Sequence, residues 1–272
     1  MNSEEDFDHL SPEEKLQAEN ELLKLKLQAE FGMNNMDSSL NATAENQWLN
    51  YIYSFEKQFA ENKRCKVYEF IGCPEFKNAE QLSPEEISSE LVRLQEIMES
   101  KSLRLETICQ YDDEVIYRFI TEELFAYETD DIRVQGMMTN FIYEEFHPNH
   151  DYDLRKCADE FVKFLIEMDW DEYMTGIYIA ENVFYNSSAQ SNKVFREIIQ
   201  AFQTAHPKRE LHKWKIQGLV FDLVSDTAEL EGYIKYKSNA TNQVYEGQVL
   251  LGFQMKYDLW SVSKVVLPGF SN

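Results

Sequence analysis

Between residues 211 and 267 the chain runs through four long β-rich segments, 211–224, 228–237, 243–256 and 259–267. Only Asp226-Thr227, Ser238-Asn239-Ala240-Thr241-Asn242 and Tyr257-Asp258 separate them. Short turns of this kind join consecutive antiparallel strands. The segments before them, after Pro148, have a different period. Phe161, Phe164, Leu165 and Met168 mark a helix over 154–168, and Trp170-Asp171-Glu172-Tyr173 starts a short second one. Ile177 to Tyr185 is extended. Ser191 caps a third helix bearing Val194, Phe195, Ile198, Ile199 and Phe202. The order helix, helix, strand, helix and then four strands predicts an antiparallel sheet curling over helices on one face, an α+β architecture.

The front half is built differently, and charge shows it. The chain carries 26 Lys and Arg against 49 Asp and Glu, a formal net charge of −23. Residues 1–30 contribute −6, residues 31–153 −15 and residues 154–272 only −2. Binding to nucleic acid or to an anionic membrane through a basic surface is therefore not expected. Leu10-Ser11-Pro12-Glu13-Glu14 is a helix start, with Ser11 as N-cap, Pro12 at the first helical position and Glu14 closing a capping box. The same five residues recur at 82–86. Helix 12–30 carries Leu16, Leu22, Leu23, Leu25 and Leu27, a stripe that needs a partner, either the body of the protein or another copy. The polar stretch 33–44 reads as a linker.

In the middle, Trp48, Ile52, Phe55 and Phe59 give helix 45–62 one large apolar face, and Ile87, Leu91, Leu94 and Met98 do the same for helix 84–100. Cys65 to Ile71 and Leu103 to Ile108 read as strands. Val115 to Ile120 reads as a strand turning helical near Thr121, and Met137 to Phe146 as extended. The expected organisation is a leucine-rich helix (1–32), a linker (33–44), an acidic α+β unit (45–150) and a second α+β unit (151–272). An acidic start without a basic, apolar leader, no apolar run long enough to span a bilayer, and four scattered cysteines together predict a cytoplasmic protein with free thiols. The sequons at Asn41, Asn186 and Asn239 carry no weight in that compartment.

The C-terminal part, about residues 154–270, resembles the NTF2-like (SnoaL-like) superfamily. The resemblance rests on the aromatic first helix Phe161–Leu165 and the step Met168-Asp169-Trp170-Asp171. It rests also on the strand ending Asn182-Val183-Phe184-Tyr185, and on the close Tyr257-Asp258-Leu259-Trp260-Ser261-Val262-Ser263-Lys264-Val265. It implies a cone of curved antiparallel sheet over helices. Enzymes of the family place an Asp, a His and a Tyr in the cone, and no such set aligns here.

Two constellations carry chemistry. Glu145, His147, His150 and Asp151 supply nitrogen and oxygen donors that suit a first-row metal, provided a further ligand comes from elsewhere. The bland alternative is a loop whose polar groups bond backbone and cap the helix at 154. Tyr178, Trp214, Asp222, Tyr233 and Trp260 lie on strands that can reach the hollow of a cone. Asp222, flanked by Val220, Phe221 and Leu223, would have its pKa raised if buried there and could act as a general base or acid; alternation can equally put it in solvent. No nucleotide-binding glycine loop, nucleophile elbow or H-E-x-x-H occurs, and no cofactor is expected. The reading favours a non-catalytic interaction or ligand-binding module. Its alternatives are a cofactor-free isomerase or dehydratase in the cone, and an acidic, immunity-type inhibitor of a basic protein partner. Self-association through Leu16, Leu23 and Leu27 is also expected.

Overall fold

The computed structural model describes residues 11–61, 63–168 and 178–271. The chain divides into two compact units, Met1–His147 and Pro148–Asn272.

The first unit begins with two 20-residue helices, α1 (Pro12–Phe31) and α2 (Ala42–Glu61). Ser11 and Glu14 exchange the two hydrogen bonds of the predicted capping box. Gly32 ends α1 in the left-handed region at φ 70°, where a side chain is disfavoured. The helices run parallel. Asn20 meets Ala42, Glu45 and Asn46, while Phe31 meets Tyr53 about two to three turns further along. Residues 32–41 therefore carry the chain back along the pair. Asn20 is almost fully buried, and its amide donates to the Ala42 carbonyl and to Glu45 and accepts from Asn46. One polar side chain inside an apolar seam fixes register, because any slip strands it without partners. Leu49, not the Trp48, Ile52, Phe55 and Phe59 stripe, is the buried anchor of α2; Trp48 and Phe59 stay exposed.

The rest of this unit holds β1 (Arg64–Lys66), α3 (Val67–Phe70), α4 (Pro84–Ser100), β2 (Leu103–Glu106) and α5 (Asp113–Arg118). It closes with β3 (Glu128–Asp130), β4 (Thr139–Ile142) and α6 (Tyr143–Phe146). Strand β1 pairs antiparallel with β3, and β2 parallel with β4. Helix α4 has the expected face, with Ile87, Leu91, Leu94 and Met98 all buried. Three expectations need correction. The strand over 65–71 stops at Lys66, since Val67, Phe70 and Ile71 are buried at helical spacing. The strand over 115–120 is instead α5 passing into a π-helical turn at Phe119–Glu123. Ile116, Tyr117, Ile120 and Leu124 share one helical face there, and period 3.6 won over β-branched propensity. The extended segment over 137–146 is strand only to Ile142 and then helix.

The second unit is α+β, with a curved, antiparallel-rich sheet over helices. It consists of α7 (His150–Glu167), β5 (Ile179–Tyr185), β6 (Ser188–Ser191), α8 (Asn192–Ala205), β7 (Arg209–Asp222), β8 (Thr227–Ser238), β9 (Gln243–Lys256) and β10 (Leu259–Val266). The sheet order is β6-β5-β10-β9-β8-β7. One junction differs from the expected antiparallel pattern: β5 pairs parallel with β10. Register shifts in β7 at Leu211/Lys213 and Ile216/Gly218, and in β10 at Val262/Lys264, bend the long strands. Along β8, Leu230, Ile234 and Tyr236 turn inward while Glu229 and Glu231 face water. The expected short helix from Trp170 and the step at Asp169 to Asp171 lie outside the described residues. Met168 is exposed and ends α7 rather than lining its apolar face.

Two devices close the core. Arg209, largely buried, donates through its guanidinium to the carbonyls of Ile166, Met168, Gln203 and His206, so one side chain satisfies the C-terminal ends of both α7 and α8. The C-terminal tail folds back so that Phe270 packs on Tyr185, Phe195 and Phe202. Gly269, at φ 76°, is required there: a Cβ would come within 2.3 Å of Tyr245.

Candidate functional site

The interior of the second unit is full. Phe161, Phe195, Tyr236 and Phe253 are completely buried between the helices and the sheet, with Phe270 at one end. Among the described residues the buried side chains of this unit are apolar or aromatic except Gln203, Arg209 and Ser238, and none is a carboxylate.

This decides the fate of Asp222. It is exposed, at the end of β7, where its carboxylate accepts hydrogen bonds from Val224 N (2.9 Å) and the Ser225 hydroxyl (2.9 Å). Those bonds hold its pKa below the usual value of 3.8, the reverse of the expected desolvation. The neighbouring apolar residues misled because β7 runs on into solvent, leaving Val220 75% and Val224 95% exposed. Tyr233 also leaves the set. Strand alternation turns it to the outer face, where its hydroxyl bonds Glu246 and Lys213 lies over its ring at 5.4 Å. Trp214 is half-buried, its Nε1 donating to Asp159 at 2.6 Å and its ring lying against Gly232.

Tyr178 and Trp260 do come together. They line a cleft of about 250 Å³ with Asp153, Lys156, Cys157 and Glu160 of α7 and with Asp258 and Leu259. The elements that build it are legible. Asn149 caps α7 by accepting Tyr152 N at 3.1 Å. Residues 153, 156, 157 and 160 recur at helical spacing, as a second stripe beside the core stripe of Leu154, Ala158, Phe161 and Leu165. The β9–β10 connection is a two-residue turn with Tyr257 and Asp258 both at positive φ (53° and 60°), as a type I′ hairpin needs, and it presents Asp258 at the mouth. Trp260 is held by Nε1 donating to His150 Nδ1 (3.2 Å), while Tyr178 is 48% exposed and available. Burial pushes the Cys157 thiol up to about 12, so it stays protonated and is no nucleophile at neutral pH. Among the described residues the lining carries three carboxylates and one ammonium around an aromatic floor.

The metal constellation does not form. His147 Nε2 bonds Glu123 at 2.9 Å and its ring stacks on Tyr143. His150 is taken by Trp260. Asp151 makes a two-point pair with Arg155 (2.7 and 3.1 Å), and Glu145 is exposed. Among the described residues no three His, Cys, Asp or Glu side chains gather as metal ligands. Pro148 separates the two histidines into different structural settings, each with its own partner. Leu16, Leu23 and Leu27 are also accounted for within the chain: Leu27 is fully buried and Leu16 and Leu23 are half-buried on α1, which packs along α2.

No protein-family profile matches the sequence, and no curated protein is similar to it. Several solved structures are similar in fold. The Kfla4162 protein of Kribbella flavida is 12% identical, covering 45% of this chain and 92% of its own, at a TM-score of 0.35. A conserved protein of Planctomyces limnophilus is 13% identical over 44% and 97%, at 0.34. An NTF2-like protein of unknown function from an Exiguobacterium species is 18% identical over 43% and 90%, at 0.27. Of these three, the last is described as NTF2-like. The likeness is one of fold alone. Among the described residues no helix is long and apolar enough to cross a membrane.

Proposed function

We propose that Pro148–Asn272 is an NTF2-like module that binds rather than transforms its ligand, and that the cleft beside α7 receives a cationic group, an ammonium or a guanidinium. The observation that carries this is the cleft itself. Asp153, Glu160 and Asp258 surround Tyr178 and Trp260, with Lys156 the one opposing charge among the described residues of the lining. A cation set against an aromatic face and flanked by carboxylates gains from both. The packed core supports the non-catalytic reading: among the described residues it buries no carboxylate, and His206 at its edge packs on Phe202 and Tyr245. Element order supports assigning the NTF2-like architecture to this unit: a helix, a strand pair and a helix precede four antiparallel strands.

Titration with arginine methyl ester and with a short lysine-rich peptide, followed by tryptophan fluorescence and amide chemical shifts, tests the reading. Saturable shifts at Tyr178 and Trp260 are expected, weakened about tenfold by Asp258→Asn or Tyr178→Ala and strengthened by Lys156→Gln. Binding that ignores all three substitutions, or no binding, would refute it.

The acidity of residues 31–153, at −15, supports a second reading of the first unit as a surface that attracts a basic protein. Such association should weaken steeply as salt is raised. Cys65, Cys73, Cys109 and Cys157 are all unpaired, which supports a reducing, cytoplasmic setting.

A further inference from the structure

We propose that two copies of this chain associate through the outward face of α1, packed antiparallel on Leu22 and Leu25. The inward face is spent, because its buried residues Asn20 and Leu27 sit in the seam with α2. Two leucines are left over. Leu22 is 54% and Leu25 61% exposed, and with Ala18 and Ala29 they follow a four-three-four spacing along one line of the helix. That is the repeat with which helices interdigitate. Leu22 and Leu25 line an open depression of about 560 Å³ together with Ala18, Glu19 and Glu21.

The stripe is complementary to itself, which is why the occupant is a second copy. About a two-fold axis between Glu21 and Leu22, antiparallel helices set Leu25 of one copy over Ala18 of the other, large against small, and bring the two Leu22 side chains side by side, one residue step apart along the helices. The flanking charges agree. Glu19 and Lys26 make no ion pair within the chain among the described residues, and the same axis brings Glu19 of each copy to Lys26 of the other. A parallel arrangement would instead set Glu14 against Glu19 and ask Lys26 to use Glu21, which already pairs with Lys24 at 2.9 Å. The net charge of −23 opposes association, but at about 0.15 M salt the screening length of about 8 Å confines that repulsion while leaving the close pairs intact.

Sedimentation equilibrium of the full chain at that salt tests the proposal. A concentration-dependent dimer is expected for the wild type. Leu22→Asp combined with Leu25→Asp should give a monomer with unchanged helicity, because both positions are exposed. Glu19→Lys alone and Lys26→Glu alone should each weaken the dimer about tenfold, since two symmetry-related pairs become repulsive. The two together should restore it, as exchanged charges attract again. A wild type that stays monomeric, a dimer that survives both aspartates, or single reversals that change nothing would overturn the proposal. If the aspartates were to lower helicity, the charge exchange at Glu19 and Lys26 decides, since failure to restore the dimer also overturns it.

Discussion

The parallel helix pair at the front and the curved sheet at the back solve the same problem with very different amounts of core. Between them α1 and α2 bury only Asn20, Leu27 and Leu49, although each is 20 residues long. The sheet unit buries Phe161, Phe195, Tyr236 and Phe253 completely, drawing them from helices and strands far apart in sequence. The helix pair rests on local devices: a capping box, a left-handed glycine and one polar register pin. Each is worth about 1 kcal/mol, and helices of this length are marginal alone. The sheet unit rests on closure, where each side chain is held by neighbours that cannot all move aside. The front pair should therefore open with much of the molecule still folded, and the back should unfold as a whole.

The largest expected effect tests that contrast directly. Phe161→Ala should cost about 3–5 kcal/mol in the sheet unit, while Leu27→Ala should fall near the lower end of the 2–5 kcal/mol range, about 2, because a thin seam can collapse around the gap. Chemical denaturation read by circular dichroism, with hydrogen exchange resolving the two regions, measures both. Equal costs would break the comparison. Next comes Arg209→Ala, expected to destabilise the back by about 3 kcal/mol, since four carbonyls at the ends of α7 and α8 lose their donor together. Exchange protection should fall first at those helix ends; protection lost evenly over the unit would contradict the role given to this side chain.

Gly232→Ala sharpens the picture at a smaller scale. A Cβ there would stand 2.6 Å from the Trp214 ring, so the indole must move and surrender its bond to Asp159. A loss of about 1–2 kcal/mol with a changed tryptophan spectrum is expected. The smallest effect is one of pH, in the first unit. Burial raises the Glu144 pKa, but hydrogen bonds from Ile108 N and Cys109 N more than offset it, and the net shift is downward from 4.5. A carboxyl lowered in the folded state stabilises above its ordinary pKa, and that contribution is lost as pH falls through the folded value, hence below 4.5. Glu144→Gln should flatten this acid limb by less than about 1 kcal/mol; an acid limb unchanged by the substitution would remove Glu144 from the account.

How far the sequence could be read varied with the range of the interactions that decided each element. Ser11 and Ser83 capped as predicted, since a cap is settled within four residues. The four β-rich runs became β7 to β10 with ends shifted by two residues or fewer, because alternation and turn residues are local signals. Val115 to Ile120 went astray where β-branched residues met a helical burial pattern imposed by α4. Of the five residues expected to share a site, only Tyr178 and Trp260 meet, beside an α7 stripe of residues 153, 156, 157 and 160 at helical spacing.

By itself the sequence determined the α+β class, the charge asymmetry between the halves and the run of four strands that closes the back, all of which depend on composition, period and turns. Tertiary structure alone decided that β5 joins β10 in parallel, that α1 and α2 run the same way, and that Asp222 faces water while Asp258 faces a cleft. Those choices turn on which distant segments close over one another, and a strand reports the spacing of its inward residues without reporting where the layer above it ends. The leucines of α1 show the same limit. Their repeat announced a partner, and only the fold showed that α2 had claimed one face and left Leu22 and Leu25 on the other.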